Sequence, residues 1–266
     1  MSRLSGASKG VTAALLGAGA AALGLGAVLL WPDSGEDASV ARGLPEPARS
    51  ALDVPSPAPL GRDENVSLWT TVRRSAMARS APRGGARPIA RIATRTPEGT
   101  DNTIAVLERR RDLRGRIWVR VRLALLPNGT KGWLPRRALG GYRVVRTRLV
   151  VDLRRLRATL LDDGKRVFRA PIGVGLPQWP TPRGRFQVRN KLVRFRSSFY
   201  GPLAFGTSAR SAELTDWPDG GFVGIHGTNR PDLIPGRVSH GCIRLRNPDI
   251  VRLARLMPVG TPLTIQ

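Results

Sequence analysis

Ile225-His226-Gly227 and, a short loop later, Ser239-His240-Gly241-Cys242-Ile243-Arg244-Leu245 are the stretches that decide the reading of this chain. Cys242 is the single cysteine, and His226 and His240 are the only two histidines among 266 residues. All three scarce reactive side chains therefore lie between positions 226 and 242. A thiol with an ordinary pKa of about 8.5 needs a neighbouring base to become a nucleophile, and imidazole supplies one. Glycines 224, 227 and 241 bracket the three residues. They point to tight turns and close backbone approach rather than to a structural cysteine packed beside two ordinary histidines.

Outward from this cluster the pattern is β. Tyr142 to Leu153 alternates, with Val144, Leu149, Val151 and Leu153 apolar. Asp163-Gly164 predicts a hairpin between Thr159-Leu161 and Val167-Ala170. Pro180 to Phe186 reads as a turn feeding a strand. Asn247 is a helix cap with Pro248 at the first position, and Ile250, Leu253, Leu256 and Met257 form the apolar face. Leu263-Thr264-Ile265 is a last strand.

Upstream, Gly115 to Leu123 alternates apolar and polar residues, Pro127-Asn128-Gly129 is a turn, and Gly132-Trp133-Leu134-Pro135 returns. Arg116 to Leu139 thus resembles the small Src-homology-type β-barrel of bacterial wall proteins, a binding or spacing module. A structural extension of the next domain is the alternative. Val66 to Trp69 is strand-like, no structure is assigned to the basic stretch from Arg73 to Arg91, and from Pro88 on short strands and turns begin, with Ile89, Ile92 and Ile104 to Val106 strand-like.

The N-terminus speaks of compartment. Arg3 and Lys9 precede an uncharged run from Val11 to Trp31, roughly 31 Å as a helix and long enough to span a bilayer. Asp33, Glu36 and Asp37 follow it, which places the rest of the chain outside. An uncleaved signal anchor is expected in preference to a cleaved signal peptide. The predicted organisation is a cytoplasmic n-region (1–10), a transmembrane helix (11–31), a Pro-rich disordered linker (32–65), a small β-barrel-like domain (66–140) and a catalytic domain (141–266). An exported chain with one cysteine has no internal disulfide.

The net charge is +25, and it is uneven: residues 1–65 are slightly acidic, and the basic surplus lies beyond them. Only four of the 44 basic residues are lysine; the rest are arginine, the side chain that grips phosphate and carboxylate bidentately. Anionic wall polymers are the expected partner of that charge. Export and the lack of zinc-finger or RNA-binding signatures argue against nucleic acid.

Acyl transfer needs a nucleophile, a base and an oxyanion site. Cys242 is the nucleophile; His240, two residues away, shares its face in an extended segment, while His226 must come from another strand. Spacing does not choose between the two bases. The two stretches quoted at the outset resemble the active-site signature of YkuD-type L,D-transpeptidases. Thr181-Pro182-Arg183-Gly184-Arg185-Phe186, Asn247-Pro248-Asp249-Ile250 and Gly260-Thr261-Pro262 match further motifs in family order, so the resemblance covers about half the chain, 142–266. The interval from Gly227 to Val238 is somewhat shorter than the family's, which bears on the substrate loop.

The resemblance implies a mainly β, sandwich-like catalytic domain with short helices and no cofactor. It implies that His226 is the base for Cys242, lowering the thiol pKa, with the Gly227 carbonyl orienting its ring. His240 becomes a second site group, and the amides of His240, Gly241 and Cys242 an oxyanion hole. Ser239, Arg244, Trp217, Phe222 and Tyr200 are the candidate substrate-binding residues, Ser239 through His240 and Arg244 through a substrate carboxylate. The implied reaction takes the tetrapeptide stem of peptidoglycan, releases its terminal D-alanine to form a thioester, and passes the acyl group to the amine of another stem. Carbapenem-like β-lactams would acylate the same thiol. Hydrolysis by an L,D-carboxypeptidase and attachment of proteins to the wall differ only in the acceptor. A zinc site of Cys242, His226 and His240 and a non-catalytic polyanion binder are the readings of other classes.

Overall fold

The computed structural model describes residues 66–193, 198–214 and 221–266. The predicted anchor and linker lie outside the described residues. No helix among the described residues is long and apolar enough to cross a membrane.

Seven strands make a first antiparallel sheet: β1 (Ser67–Thr71), β2 (Ala76–Arg79), β3 (Pro88–Ile92), β4 (Thr103–Arg111), β5 (Ile117–Arg122), β6 (Lys131–Pro135) and β7 (Arg143–Val145). Their order is β3-β2-β6-β5-β4-β1-β7. The alternation in β5 works as expected: Val119, Val121 and Leu123 are buried in one core with Ile104, Val106 and Leu134. Asn128-Gly129 turns the chain from β5 to β6, with Gly129 at φ +88°. β3 forms where Ile89 and Ile92 read as strand-like, and in the unassigned basic stretch β2 forms by pairing with β3 and, through Arg79 and Trp133, with β6. The burial of β2 comes from that non-local pairing, with Ala78 wholly enclosed, and the local sequence carries little trace of it.

Eleven elements make the rest: β8 (Thr147–Asp152), β9 (Arg157–Asp162), β10 (Lys165–Pro171), β11 (Gly173–Gly175), β12 (Gly184–Val193), β13 (Leu203–Arg210), β14 (Phe222–His226), β15 (Gly236–Ser239), β16 (Ile243–Arg244), α1 (Asn247–Leu256) and β17 (Pro262–Ile265). The strands form one sheet in the order β10-β9-β8-β17-β12-β13-β14-β16-β11-β15. A single hydrophobic core takes side chains from both halves of it and from α1. The Asp163-Gly164 hairpin between β9 and β10 is present, with both residues at positive φ (45° and 77°), as a type I′ turn requires.

Three local expectations are corrected. The alternation from Tyr142 does not run through: β7 pairs with β1 and belongs to the first sheet, so Val144 is 56% exposed while Val145 is buried. Asn247 does not cap α1; Arg246 is the cap residue, without a side-chain bond, and Asn247 is free for another task. On α1 the buried face is Ile250, Leu253 and Ala254, and Leu256 points outward.

The two sheets dock through polar side chains rather than a linker alone. Gln187 on β12 donates to the Thr103 carbonyl (3.0 Å) and accepts from the Ala105 amide (2.8 Å). Asn128, in the β5–β6 turn, brackets Arg210 at the end of β13, donating to its carbonyl (2.7 Å) and accepting from its amide (3.0 Å). Arg189, 3% exposed in its side chain, pairs with Glu98 at 2.9 Å, an ion pair removed from solvent and kept by its hydrogen bonds. Trp69 of β1 lies against Gly260, whose φ of +92° and lack of side chain both fit the contact.

Candidate active site

Pairing geometry assembles the site. β14 and β16 run parallel, with Ile225 beside Ile243 and His226 beside Arg244. One step back Gly224 lies beside Cys242, and its N–H donates to Cys242 Sγ at 3.3 Å. Because side chains alternate across a strand, positions 224, 226, 242 and 244 share one face. Gly224 contributes no side chain there, so thiol and imidazole both border the space it leaves: a Cβ at 224 would sit 3.8 Å from Cys242 Sγ and 3.8 Å from His226 Cδ2. Cys242, His226, His240 and Arg244 line one cavity of about 120 Å³, walled by Tyr200 and Phe222.

The imidazole is fixed in one tautomer. His226 is 2% exposed, and its Nδ1 lies 2.6 Å from the Gly227 carbonyl oxygen. A carbonyl oxygen only accepts, so Nδ1 carries the proton and Nε2 keeps its lone pair. Burial pushes the His226 pKa down to about 4, with a small opposing effect of the Gly227 bond and a further lowering by Arg244. The ring is therefore neutral at neutral pH, with the Nε2 lone pair available to take a proton. Edge contact with Tyr200, with centroids 4.9 Å apart, holds its plane.

The Gly227 carbonyl is itself held by a residue whose role the sequence did not disclose. Asn247 Oδ1 accepts from the Thr228 N–H at 2.9 Å. That N–H and the Gly227 carbonyl belong to one peptide unit, so the Asn247 amide, the 227–228 peptide and the His226 ring are hydrogen-bonded in series. The approach is close enough that a methyl group at either Gly201 or Gly227 would overlap Asn247 Oδ1. Asn247 was legible as the start of a helix, and its polar side chain drew the capping reading because local spacing says nothing of a partner nineteen residues back.

The Ser239–Cys242 segment is a clamped turn. Ser239 Oγ donates to the Cys242 carbonyl (2.6 Å) and accepts from the Gly241 N–H (3.2 Å). Thr181 Oγ1 donates to the Gly241 carbonyl (2.8 Å) while accepting from the Gly175 N–H (2.9 Å). Gly241 sits at φ +109°, which a side chain strains even though a Cβ there has room. Four expectations change accordingly. The Gly241 amide is engaged by the Ser239 hydroxyl, so of the three expected oxyanion amides it is the one already hydrogen-bonded. Ser239, buried and not among the residues lining the cavity, spends its hydroxyl on the turn. The chain is not extended across Gly241, so His240 turns outward, exposed and stacked on Trp179 with centroids 4.3 Å apart, though it still borders the cavity. The thiol pKa is raised by burial, against smaller lowering by the Gly224 N–H and Arg244, instead of being depressed by His226.

Arg244 is 7% exposed, its Nε has no hydrogen-bond partner, and its guanidinium lies 4.6 Å over the Phe199 ring. It is a buried cation facing the thiol's cavity. Phe222 is sandwiched from outside by Arg189 (3.9 Å) and Arg210 (4.8 Å), the residues that Glu98 and Asn128 hold. Trp217 lies outside the described residues. Among the described residues no three His, Cys, Asp or Glu side chains come together to hold a metal.

Two titrations check this picture. Iodoacetamide alkylation of Cys242 is expected to rise with pH only above the ordinary thiol value of about 8.5; an inflection near 6 would mean a preformed thiolate. His226 makes the fold acid-sensitive. Its folded pKa of about 4 lies below the unfolded value of about 6.5, so the unfolded chain binds the proton first. Full stability holds above about pH 6.5, and about 3 kcal/mol is lost as pH falls from there through about 4. Urea unfolding at pH 7 and pH 4 measures the loss, and a His226→Gln chain should show a correspondingly flatter dependence.

Residues 146–265 match the family model of YkuD, the L,D-transpeptidase catalytic domain. The YkuD protein of Bacillus licheniformis is 36% identical over 118 residues, which is 44% of this chain and 64% of that protein. The YqjB protein of Bacillus subtilis, which also carries the L,D-transpeptidase name, is 49% identical over 128 residues, 44% of this chain and 69% of its own length. The chain spans less than two thirds of the YkuD proteins of the two Bacillus species, 64% and 57%. Among solved structures, the catalytic domain from an Enterococcus faecium L,D-transpeptidase aligns over 45% of this chain and 96% of its own, at 28% identity and TM-score 0.34.

Proposed function

The chain belongs to the YkuD-type L,D-transpeptidase family, and on that premise we propose that it is a cysteine acyltransferase acting on peptidoglycan stem peptides. The observation that carries the reading is the 2.6 Å bond from His226 Nδ1–H to the Gly227 carbonyl, which leaves Nε2 as an acceptor in the cavity of Cys242.

The resting pair is a neutral thiol and a neutral imidazole, so attack and proton transfer go together. His226 Nε2 takes the Sγ proton as sulfur bonds to the carbonyl carbon of the third stem residue. The carbonyl oxygen becomes an oxyanion, and the Cys242 N–H is the backbone donor closest in sequence to it, the Gly241 N–H being engaged. Collapse breaks the C–N bond, and the departing D-alanine amine takes the proton from Nε2. The thioester is resolved when a second stem's amine attacks the same carbon, loses a proton to Nε2 and releases Cys242 as the thiol. Arg244, buried and charged, attracts a stem carboxylate, and Tyr200 and Phe222 wall the peptide. His240, stacked on Trp179, polarises the substrate from the open side.

The wall setting follows the sequence: the run from Val11 to Trp31 anchors the chain in the membrane, with residues beyond it extracytoplasmic, and the basic surface favours anionic wall polymers. The test is mass spectrometry of tetrapeptide muropeptides incubated with the full chain in detergent, beside Cys242→Ala. A dimer lacking one D-alanine, absent with the variant, supports transpeptidation. Tripeptide without dimer assigns hydrolysis, and unchanged substrate sinks the acyltransferase reading.

A further inference from the structure

A second cavity with a chemical signature lies away from the catalytic one. A cleft of about 630 Å³ opens in the first sheet, between the start of β2, the start of β5 and the turn after β6. Six arginines line it: Arg74, Arg79, Arg91, Arg116, Arg136 and Arg137; no acidic residue does. They come from four separate stretches of chain, so the fold, and not a local run, gathers them.

Three of the six are held in place. Arg79 donates to the Ala86 carbonyl (2.8 Å), Arg136 donates to the Leu139 carbonyl (2.7 Å), and Arg116 pairs with Asp112 at 2.8 Å. Arg74, Arg91 and Arg137 are exposed, and their guanidinium groups have no hydrogen-bond or ion-pair partner among the described residues. Six guanidinium groups line the cleft and one of them, Arg116, has a carboxylate partner, so the local potential is strongly positive and an anion relieves it. The planar fork of guanidinium matches the paired oxygens of phosphate, and a concave site focuses the field on such a ligand.

We infer that this cleft is a binding site for a linear phosphate polymer without bases. The absence of bases follows from its floor: Trp118 is 5% exposed, with its indole N–H donated to Asp112 at 3.1 Å, so it offers no stacking platform of the kind single-stranded nucleic acid uses. The volume accommodates a few repeat units rather than a duplex. The site would hold the chain to an anionic matrix while the second sheet works on stems, and it does not depend on the acyl-transfer reading.

The experiment is fluorescence anisotropy of end-labelled inorganic polyphosphate with the full chain in detergent, at several salt concentrations. The probe variant is Arg74→Ala/Arg91→Ala/Arg137→Ala, whose side chains make no intramolecular bond. The control, Arg154→Ala/Arg166→Ala/Arg169→Ala, removes the same charge from exposed positions on the second sheet. The cleft variant is expected to bind at least about tenfold more weakly, with a log–log salt slope lower by about 2 to 3, since each phosphate contact contributes about 0.7 to 0.9. Thermal unfolding and D-alanine release should be unchanged, which separates failure here from failure of the catalytic reading. Equal weakening by the control would reduce the binding to net charge and overturn the inference. Tighter binding of single-stranded DNA of the same length, or equal binding of polyglutamate, would overturn the ligand class.

Discussion

Cys242→Ala is expected to abolish acyl transfer, lowering turnover by a factor on the order of 10⁴ or more, while the fold survives. The nucleophile acts as a unit with its base, so its loss leaves only what binding and the oxyanion donors contribute. The structural cost is small. Sγ accepts one hydrogen bond, from the Gly224 N–H at 3.3 Å, and Cys242 lines a cavity from which water can take the place of the sulfur. Cys242→Ser keeps the shape but presents a hydroxyl far less acidic than a thiol, and should be nearly as inactive. D-alanine release and intact-mass detection of the thioester measure both variants. Residual turnover within tenfold of the parent would remove Cys242 from the reaction.

Asn247→Ala is expected to lower kcat by about 10- to 100-fold with KM little changed. Truncation leaves the Thr228 N–H without its acceptor, and the 227–228 peptide is then free to tilt away from His226. A displacement of about 1 Å in a catalytic group costs about 10²-fold, and this peptide is the backbone group bonded to Nδ1 among the described residues. Asn247 is solvent-exposed, so the unfolding free energy should fall by only about 1 kcal/mol. Asn247→Asp is the discriminating variant. A carboxylate oxygen accepts the same N–H and should restore much of kcat, while its charge favours the imidazolium and moves the acid limb of the pH–rate profile upward. A purely structural asparagine would give neither the rescue nor the moved limb. If Asn247→Ala retains kcat within threefold, the relay has no part in catalysis.

The chemistry-bearing residues were legible because they are scarce. With one thiol and two imidazoles in the chain, composition alone directs attention to positions 226–242, and the glycines between them announce turns. The strands with strong alternation, β5 and β8, were equally plain, because a half-buried strand prints its period on the sequence. β3 showed in Ile89 and Ile92, but β2 and β13 were not legible. β2 is four residues long, too short to print a period. β13 is buried along nearly its whole length and so has no alternation to read.

Pairing and burial decided everything else. Sequence offered two bases two and sixteen residues from the thiol; the parallel register of β14 on β16 is what put His226 on the thiol's face, and Gly241 at φ +109° is what turned His240 outward. Sequence named Ser239, Gly241 and Asn247 as polar or flexible positions near a site. Only the folded chain assigned the Ser239 hydroxyl to the turn, engaged the Gly241 amide with it and sent the Asn247 amide to the 227–228 peptide. The direction of the Cys242 pKa also belonged to the structure, because it is set by desolvation, a property of what surrounds a group and not of what neighbours it along the chain. What the sequence determined was the inventory of reactive groups and the periods of its clearest strands; which groups meet, and in what protonation state, was fixed by contacts between residues that are distant in the chain.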